Sequence, residues 1–425
     1  MWLARKRLKA TYGIAFTVEN RITNISDIFM RILQIISYLY PALSYGGPGK
    51  LVYNLSLALA KRGHQITVYT TDAFDEVRRR DINTSPFPNK TGVRTFFFRN
   101  ISNTLAYQYK FFLPSEGYDT IRKEILSVDA VHTHEFFTPL AIATSYFAKK
   151  YKIPFIVSAH GTLDAFHLGH RATAKRIFMY IFGNKILTNT SSFIAATKEE
   201  ISEYKTLGVD GEKISLIRNG VDIGEFYSLP KKGSFRKKYN LSSNTNTLLY
   251  IGRINKLKGL DMLVKGFTSI TKNTTSVLVI AGSDDGYLRE IKKRVNELNI
   301  SQKVIFPGKL FGKEKLAAFA DCDVFVYPSP SEGFSIAILE AAASGLPLLI
   351  TDGCKFPEVG IKNAGIVVNS DSDSISKGLK YLLENKIRLQ KMGVNAKRLV
   401  QQNYSIEKMT QNLEKVYKMV LSTNH

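Results

Sequence analysis

The sequence predicts an α/β protein made of two Rossmann-like domains whose parallel sheets face a cleft between them. Short runs rich in β-branched residues alternate with longer helical runs along the chain. Many of the short runs are continuously apolar, as in 276–280, which is typical of strands buried on both faces of a parallel sheet. A chain of 425 residues exceeds one ordinary hydrophobic core, so two domains are expected.

The predicted strands fall into two groups, one in each half of the chain. The first group is 32–39, 66–71, 93–98, 129–133, 154–159, 193–196 and 214–218. The second group is 247–252, 276–281, 303–306, 323–327, 347–351 and 364–368. Leu51–Leu59 has the apolar spacing of a helix that ends before Gly63, and Ser405–Val420 has that of an amphipathic helix.

Composition sets the expected domain limits. Residues 1–29 are expected to be an N-terminal extension, because their apolar stretch is too interrupted for a signal peptide, which is the open alternative. The first domain is expected over 30–228, and the second is expected over 247–402. A linker is predicted at 229–246, where Pro, Gly and basic residues cluster. Residues 403–425 are expected to form a C-terminal helix, for which the N-terminal domain is a candidate partner.

The charge distribution narrows the class of partner. The formal net charge of +23 favours an anionic partner: a membrane surface, a nucleic acid or a phosphorylated substrate. Seven basic residues and one acidic residue lie between Lys149 and Lys185, and 177–182 is apolar and aromatic. Basic and apolar residues on one segment favour an anionic membrane surface, with a buried helix of charged edge as the alternative. No nucleic-acid-binding module is recognisable, so nucleic acid is not an expected partner.

Cysteine usage and hydropathy exclude several classes. Cys322 and Cys354 form no CxxC pair, which argues against a structural zinc site or a disulfide framework. No apolar run reaches the length that spans a bilayer. The expected location is therefore the cytoplasm, with association at the inner face of the membrane.

Two carboxylates eight residues apart form the most informative motif. Glu332 precedes the turn residues Gly333, Phe334 and Ser335, and Glu340 lies on the apolar helical run that follows. Such a strand–loop–helix junction places a carboxylate, backbone N–H groups and a helix N-terminus beside one pocket. The motif therefore predicts a ligand that carries both hydroxyls and phosphates.

Two glycine-containing loops also follow predicted strands. The segment 46–50 lacks the first Gly and the final Ser or Thr of a phosphate-binding P-loop, so it predicts only a turn in which the backbone at Gly47 approaches a bound group. In 252–259, Arg253 and Lys258 can clamp a diphosphate, one as a planar fork and the other as a point charge. No G-x-G-x-x-G follows the first strand, which argues against a dehydrogenase.

Histidines follow two other predicted strands. His160, next to Gly161, is well placed to contact a ligand, and a structural histidine is the alternative. His132 and His134 share a face if their strand continues. A metal site there is conceivable but lacks a clear third ligand.

Together these segments resemble the retaining glycosyltransferases of family 4, which have the GT-B architecture. The E-x7-E pattern of Glu332 and Glu340 carries the resemblance, which extends from Met30 over nearly the whole chain. Supporting segments lie at 46–47, 61–64, 160–161, 218–222, 252–259, 281–282 and 351–358. In one departure, Ile406 follows Tyr404–Ser405 where the family often has an aromatic residue.

The resemblance implies transfer of a sugar, as by a hexosyltransferase, from a UDP- or GDP-sugar to an acceptor hydroxyl with retention of configuration. It implies that Arg253 and Lys258 hold the diphosphate and stabilise the leaving group, without a metal or other cofactor. Glu332 would contact the donor sugar, Glu340 the ribose, and His160 would line the reacting centre.

The resemblance also implies that the first domain binds the acceptor and the second binds the nucleotide sugar, and it implies roles for the loops and the identity of the partners. Backbone N–H groups near Gly333, Phe334 and Ser335 would hold sugar and phosphate, and Gly47 would admit the first-domain loop to the donor. The expected acceptor is a glycan or a lipid-linked precursor, in cell-surface polysaccharide or glycolipid biosynthesis. Two alternatives stay open: a nucleotide-sugar epimerase on a similar scaffold, and a non-catalytic nucleotide-sugar-binding subunit.

Overall fold

The computed structural model describes residues 29–423 except 43, 89, 90, 164–171 and 273. The predicted N-terminal extension, 1–29, thus lies outside the described residues apart from Phe29. None of the helices in the described ranges is long and apolar enough to cross a membrane.

The first sheet has seven parallel strands within the described part of the chain. They are β1 (Arg31–Ile35), β2 (Gln65–Thr71), β3 (Val93–Phe98), β4 (Ala130–Thr133), β5 (Phe155–Ser158), β6 (Ser192–Ala195) and β7 (Ile214–Leu216). Their spatial order is β3-β2-β1-β4-β5-β6-β7, so the strand order reverses between β1 and β4. Ligands of open α/β sheets bind beyond the carboxyl ends of the strands at such a point.

Helices cover both faces of this sheet. They are α1 (Pro48–Lys61), α2 (Asn103–Tyr109), α3 (Tyr118–Glu124), α4 (Pro139–Tyr151), α5 (Ala172–Phe178), α6 (Asn184–Asn189) and α7 (Lys198–Thr206). A π-helical turn at Met179–Gly183 joins α5 to α6, and 3-10 turns lie at Ile125–Ser127 and Gly211–Lys213. The predicted helix at Leu51–Leu59 is confirmed inside α1. Gly63 follows it with a φ of +93°, in the left-handed region that favours glycine.

The second sheet, over the residues that can be described, has six parallel strands. They are β8 (Asn246–Ile251), β9 (Ser276–Ala281), β10 (Val304–Gly308), β11 (Val324–Tyr327), β12 (Leu348–Thr351) and β13 (Gly365–Val368), in the spatial order β10-β9-β8-β11-β12-β13. Its helices are α8 (Ser234–Lys238), α9 (Leu260–Thr268), α10 (Leu288–Glu297), α11 (Gly312–Asp321), α12 (Ile336–Ala343), α13 (Glu358–Ile361), α14 (Ser372–Leu383) and α15 (Lys386–Asn403). Further 3-10 turns are Ile223–Phe226, Lys256–Lys258, Ser301–Lys303 and Asp352–Cys354.

The predicted α/β architecture with two parallel sheets is confirmed, because continuous apolar runs mark strands that are covered on both faces. The largest strand difference is at the first run, 32–39, since β1 ends at Ile35. Residues 36–39 lie beyond the last paired residue of β1 but remain buried. Their burial, rather than strand pairing, explains why the predicted strand was too long.

The last helix, α16 (Ile406–Ser422), returns to the first domain and packs on α1 and the first sheet. Its buried residues recur every three or four positions and include Met409, Leu413, Tyr417 and Val420. Glu414 bonds to Arg62 and lies 2.9 Å from His64 Nε2. The chain passes between the domains twice, and an isolated parallel β-bridge between Val221 and Ser405 joins these two segments.

Candidate functional site

The two domains touch where the carboxyl ends of their strands meet. A Cβ built on Gly161, in the loop after β5, would lie 2.7 Å from the Cα of Gly333, in the loop after β11. A Cβ on Gly47 would lie 3.2 Å from Ile336 Cγ1, at the start of α12. Only residues without side chains allow the backbones at Gly161 and Gly333 to approach so closely. The contacts bring the predicted loops Gly47, His160–Gly161 and Gly333 to the two sides of one cleft.

The loop after β8 presents Arg253 at the cleft. Asp285 Oδ2 accepts hydrogen bonds from Arg253 Nη1 at 2.6 Å and from Asn255 Nδ2 at 3.0 Å. Lys110 Nζ, from the first domain, lies 3.6 Å from Asp285 Oδ1. Burial would lower the pKa of the guanidinium, but Asp285, together with Tyr38, Glu332 and Tyr327, outweighs burial and raises it. Arg253 is therefore a half-buried, permanently charged group whose carboxylate partner keeps its fork in place.

Lys258 and Glu332 form a second ion pair on the same wall. Lys258 Nζ bonds to Glu332 Oε1, which also accepts a hydrogen bond from Tyr327 OH at 3.1 Å. Burial would raise the pKa of Glu332, but Lys258 outweighs burial and the pKa falls below its usual value. The carboxylate is thus charged at neutral pH. It is suited to accept hydrogen bonds from hydroxyls rather than to donate a proton.

The turn after Glu332 leads into the N-terminus of α12. Ser335 is the N-cap residue, and its side chain makes no capping hydrogen bond. Asn219 Nδ2, from the other side of the cleft, donates to the carbonyl oxygen of Phe334 at 3.2 Å, and the Arg218 guanidinium lies over the Phe334 ring at 5.6 Å. The first N–H groups of a helix have no partner within the helix, and they attract phosphate oxygens.

Glu340 lies four residues further along α12, in a buried cluster of charges. Its Oε1 accepts hydrogen bonds from Lys50 Nζ at 2.9 Å and Lys315 Nζ at 2.8 Å. Lys50 belongs to α1 of the first domain, and its Nζ also lies 2.7 Å from Glu225 Oε2. Burial would raise the pKa of Glu340, but the two lysines outweigh it and lower the pKa to about 2. The structure therefore places Glu340 on an interdomain ion pair.

The turn at His160 is held from beneath by a carboxylate. His160 has a φ of +52°, which is rare for a residue with a side chain. Glu200 accepts hydrogen bonds from the backbone N–H groups of Gly161 at 2.8 Å and Ala196 at 2.7 Å. Burial raises the pKa of Glu200 to about 7 in spite of those two donors. These bonds fix the direction in which the His160 loop meets Gly333.

The three histidines near this turn stack beside one another. The ring centroids of His132 and His134 are 4.1 Å apart, and those of His134 and His160 are 5.5 Å apart. Burial lowers the pKa of His132 to about 3 and that of His160 to about 4. Among the residues that the structure describes, no group of three His, Cys, Asp or Glu side chains could hold a metal ion.

Sequence reasoning did not find the partners of the site residues. Glu200 had a weak signal, since Thr197-x-x-Glu200 has capping-box spacing and Thr197 does cap α7. Lys50 was visible only as the last residue of an incomplete P-loop pattern. Asp285, Glu225 and Lys315 gave no motif, because each acts through a contact with a residue that is distant in the chain.

Two parallel α/β sheets that face one cleft are the GT-B architecture. In this chain the cleft also carries two cations, a helix N-terminus and the E-x7-E carboxylates, a combination that fits a glycosyltransferase. The family models named Glycosyltransferase Family 4 and Glycosyl transferases group 1 match residues 45–225 and 231–399. The chain belongs to glycosyltransferase family 4, as the resemblance predicts, and it is a glycosyltransferase.

Curated relatives match over most of their length. An uncharacterised glycosyltransferase of Methanocaldococcus jannaschii is 26% identical, with 92% of this chain and 98% of that protein covered. The N-acetyl-alpha-D-glucosaminyl L-malate synthase of Bacillus anthracis is 25% identical, with 90% and 96% covered. The alpha-monoglucosyldiacylglycerol synthase of Streptococcus pneumoniae is 24% identical, with 75% and 70% covered.

Solved structures share the fold. Anabaena HepE, in complex with UDP and glucose, superposes with a TM-score of 0.73 over 92% of this chain and 100% of that one, at 16% identity. WaaG, a glycosyltransferase involved in lipopolysaccharide biosynthesis, gives a TM-score of 0.66 over 91% and 99%, at 16% identity. At this identity the likeness concerns the fold alone.

Proposed function

We propose that this glycosyltransferase moves a hexosyl residue from a nucleotide-diphosphate sugar to an acceptor hydroxyl with retention of configuration. The observation that carries the proposal is the wall formed by Arg253, Lys258, Glu332 and the N-terminus of α12. A sugar diphosphate needs positive groups at the phosphates and hydrogen-bond acceptors at the sugar hydroxyls, and this wall offers both.

Charge stabilisation is the principal catalytic contribution in this proposal. Negative charge grows on the β-phosphate as the bond from the anomeric carbon to its oxygen breaks, and Arg253 and Lys258 stabilise that charge. Both cations are already paired with carboxylates, Asp285 and Glu332. A donor that binds beside these ion pairs therefore meets charges that are already oriented. The two cations take the place that a divalent metal would have, and no metal is required.

The roles of the remaining residues follow from their positions. Glu332 accepts hydrogen bonds from donor-sugar hydroxyls, and the backbone at Gly333, Phe334 and Ser335 binds sugar and phosphate oxygens. Glu340 contacts the ribose through the carboxylate that Lys50 and Lys315 hold charged. A uridine donor is favoured, because HepE and this chain share a fold and HepE is described with UDP and with UDP-glucose.

The acceptor side includes an exposed apolar surface on the first domain. Ile177, Tyr180 and Ile181 are 55%, 86% and 48% exposed, and they lie on one side of the helical segment from α5 to α6. Arg176 and Lys185 flank them in the sequence and are exposed. Exposed apolar side chains beside cations fit an anionic lipid surface.

This surface lies in the segment that follows the His160 loop. It could therefore bring a lipid-linked acceptor near the cleft. Streptococcus pneumoniae alpha-monoglucosyldiacylglycerol synthase and an Escherichia coli galactosyltransferase that acts on a diphosphoundecaprenol-linked sugar are among the relatives. The proposed site of action is the cytoplasmic face of the membrane, in glycan or glycolipid biosynthesis.

A donor panel tests the catalytic proposal. UDP-, GDP- and ADP-sugars are compared for thermal stabilisation, since a ligand that binds the native state raises Tm by mass action. The stabilising donor is then incubated with lipid-linked and glycan acceptors, and the anomeric configuration of the product is read by NMR. We expect an α-linked product from an α-linked donor. Epimerised donor without acceptor would point to an epimerase, and binding without turnover to a binding subunit.

Vesicle co-sedimentation tests the membrane surface. We expect binding to phosphatidylglycerol-containing vesicles that weakens as salt rises, and little binding to neutral vesicles. The double variant Ile177→Ser/Tyr180→Ser should bind less than Ile387→Ser, in which an equally exposed apolar residue (66%) of the second domain is changed. Equal binding to both vesicle types, or equal loss in both variants, would contradict the assignment.

A further inference from the structure

A row of polar side chains crosses the core of the first domain beneath α16. Gln34 pairs with His132 in the ladder of β1 and β4, and Ser158 follows two residues after Ile156, the β5 partner of His132. Because alternate residues of a strand point to the same face, the three polar side chains lie on one face of the sheet. The preceding row on that face contains Ile32 and Ala130, which pair with each other and are apolar.

The polar row is fully buried and therefore needs internal partners. Gln34 and His132 are 0% exposed. A buried polar group without a hydrogen bond costs several kcal/mol, roughly 2–7. Tyr417 of α16 supplies one partner for each of them: its hydroxyl accepts a hydrogen bond from Gln34 Nε2 at 3.2 Å and hydrogen-bonds to His132 Nδ1 at 2.7 Å. His132 Nε2 hydrogen-bonds to Ser158 Oγ at 2.8 Å.

A second branch leads from Gln34 to the cleft. His134 Nε2 lies 2.5 Å from Gln34 Oε1, and His134 Nδ1 lies 3.3 Å from His160 Nε2. A carbonyl oxygen only accepts, so His134 Nε2 carries the proton of that hydrogen bond. A neutral imidazole has one N–H, so His134 Nδ1 must accept, and His160 Nε2 must donate. The nitrogen of His160 that His134 does not engage, Nδ1, then carries a lone pair.

We propose that Gln34 and His134 are positioning residues that hold His160 as its Nε2–H tautomer, with Nδ1 as the acceptor for a hydroxyl of the bound sugar. Tyr417 contributes from α16 as the acceptor for the N–H of the Gln34 amide, which leaves the amide oxygen to face His134. His160 in this tautomer recognises a hydroxyl donor and supplies no proton of its own to the reaction. The sugar ligand rests on the proposed transferase function, whereas the tautomer does not.

The first test measures the tautomer in the wild-type protein. The seven histidines are labelled with ¹⁵N, and long-range ¹H–¹⁵N correlations distinguish a protonated from an unprotonated ring nitrogen. The variant His160→Gln assigns the signal of interest. We expect an unprotonated Nδ1 and a protonated Nε2 at His160. A proton on Nδ1, which the reversed Gln34 amide would produce, would overturn the proposal, and this result does not depend on whether sugar transfer is found.

The second test compares His134→Gln with His134→Leu. The Gln amide can donate to Gln34 and accept from His160, so it preserves the direction of the chain of hydrogen bonds. Leu can do neither. We expect His134→Leu to lower kcat about tenfold, the factor that corresponds to one hydrogen bond, and to give a mixture of His160 tautomers. We expect His134→Gln to retain most of kcat and the single tautomer.

Other results of the second test have distinct meanings. Equal loss of kcat in both His134 variants, with an unchanged His160 tautomer, would show a packing role and refute the positioning role. Wild-type kcat in His134→Leu would refute it as well. Should the wild type transfer no sugar from any donor, the proposed function fails, and the tautomer measurement alone decides this inference.

Discussion

The two walls of the cleft hold charge in opposite ways. The second-domain wall consists of ion pairs, Arg253 with Asp285 and Lys258 with Glu332, whose members stay charged at neutral pH. The first-domain wall carries His134 and His160, whose pKa values burial lowers, so both are neutral there. In the proposed function, the charged wall binds the diphosphate and the donor-sugar hydroxyls near Glu332, and the neutral wall adds a hydrogen-bond acceptor at His160.

First-domain cations that pair with second-domain carboxylates depart from this division, and Lys110, near Asp285, is one of them. Lys50 is a first-domain cation that bonds to Glu340 of the second domain. It therefore couples the two walls, since opening the cleft would leave a buried lysine and a buried carboxylate with one partner fewer. The predictions that follow alter the charged wall, then the contact between the walls, then the coupling lysine, and finally the neutral wall.

Removal of a cation from the charged wall should have the largest effect. We expect Arg253→Ala to lower kcat/KM for the donor at least about 100-fold, because the developing charge on the leaving group loses an oriented donor. Steady-state kinetics with the stabilising donor measure this. Arg289→Ala, which removes an exposed arginine of α10, is the matched control. Wild-type donor kinetics in Arg253→Ala would contradict the assignment.

The next largest effect is expected when a methyl group is added where the two walls touch. Gly161→Ala places a Cβ 2.7 Å from Gly333 Cα at a φ of +74°, so the loops must separate, and we expect about a tenfold loss of kcat. Gly63→Ala separates the two causes, because Gly63 has a φ of +93° with open space around it. Both variants should lose about 1 kcal/mol of unfolding free energy from backbone strain. Equal kcat in the two would exclude a role for close loop contact.

The coupling lysine should affect stability more than chemistry. We expect Lys50→Met to lower the free energy of unfolding by about 2 kcal/mol, since a buried hydrogen bond between charged groups is lost, and to raise the donor KM about fivefold. Denaturant unfolding and donor kinetics measure the two effects. Lys61→Met, at the end of the same helix, is the control. A loss of kcat with an unchanged KM would argue against a role in positioning Glu340.

Acid should weaken the ion pairs of Glu340 over a defined range of pH. The pKa of Glu340 is lowered to about 2 from its usual 4.5, so its ion pairs stabilise the fold fully above pH 4.5 and lose that contribution as pH falls towards 2. We expect the Tm difference between wild type and Glu340→Gln to be constant from pH 7 to about 5 and to shrink below that. A difference that grows in acid would have the wrong sign for this ion cluster.

The neutral wall should show the smallest response. The pKa of His160 is lowered to about 4, so it should not titrate between pH 8 and 5.5, and the tautomer signals should keep their positions over that range. The stability that comes from keeping this histidine neutral declines only below its unfolded pKa, near 6.5, and is gone below about 4. Titration of the His160 ring near pH 6.5 would show that it is solvated rather than buried.

Features that depend on local sequence pattern could be predicted, whereas features that depend on long-range contacts could not. The strands around 276–281 and 323–327 were predictable because a strand covered on both faces must be apolar throughout. The positions of Arg253, Lys258 and Glu332 in loops at the cleft were predictable because each follows such a strand. Their partners were not, since Asp285 is 32 residues away from Arg253 and carries no pattern of its own.

By itself, the sequence determined the α/β class, the two parallel sheets, the loops that follow their strands and the family. Apolar periodicity and short motifs are local properties, and they persist in the chain before it folds. Only the tertiary structure decided that Lys50 reaches Glu340, that Gly161 meets Gly333, and that Tyr417 orients Gln34 beneath the histidines. Each of these contacts joins residues more than 150 positions apart, and packing of the two domains and of the last helix brings them together.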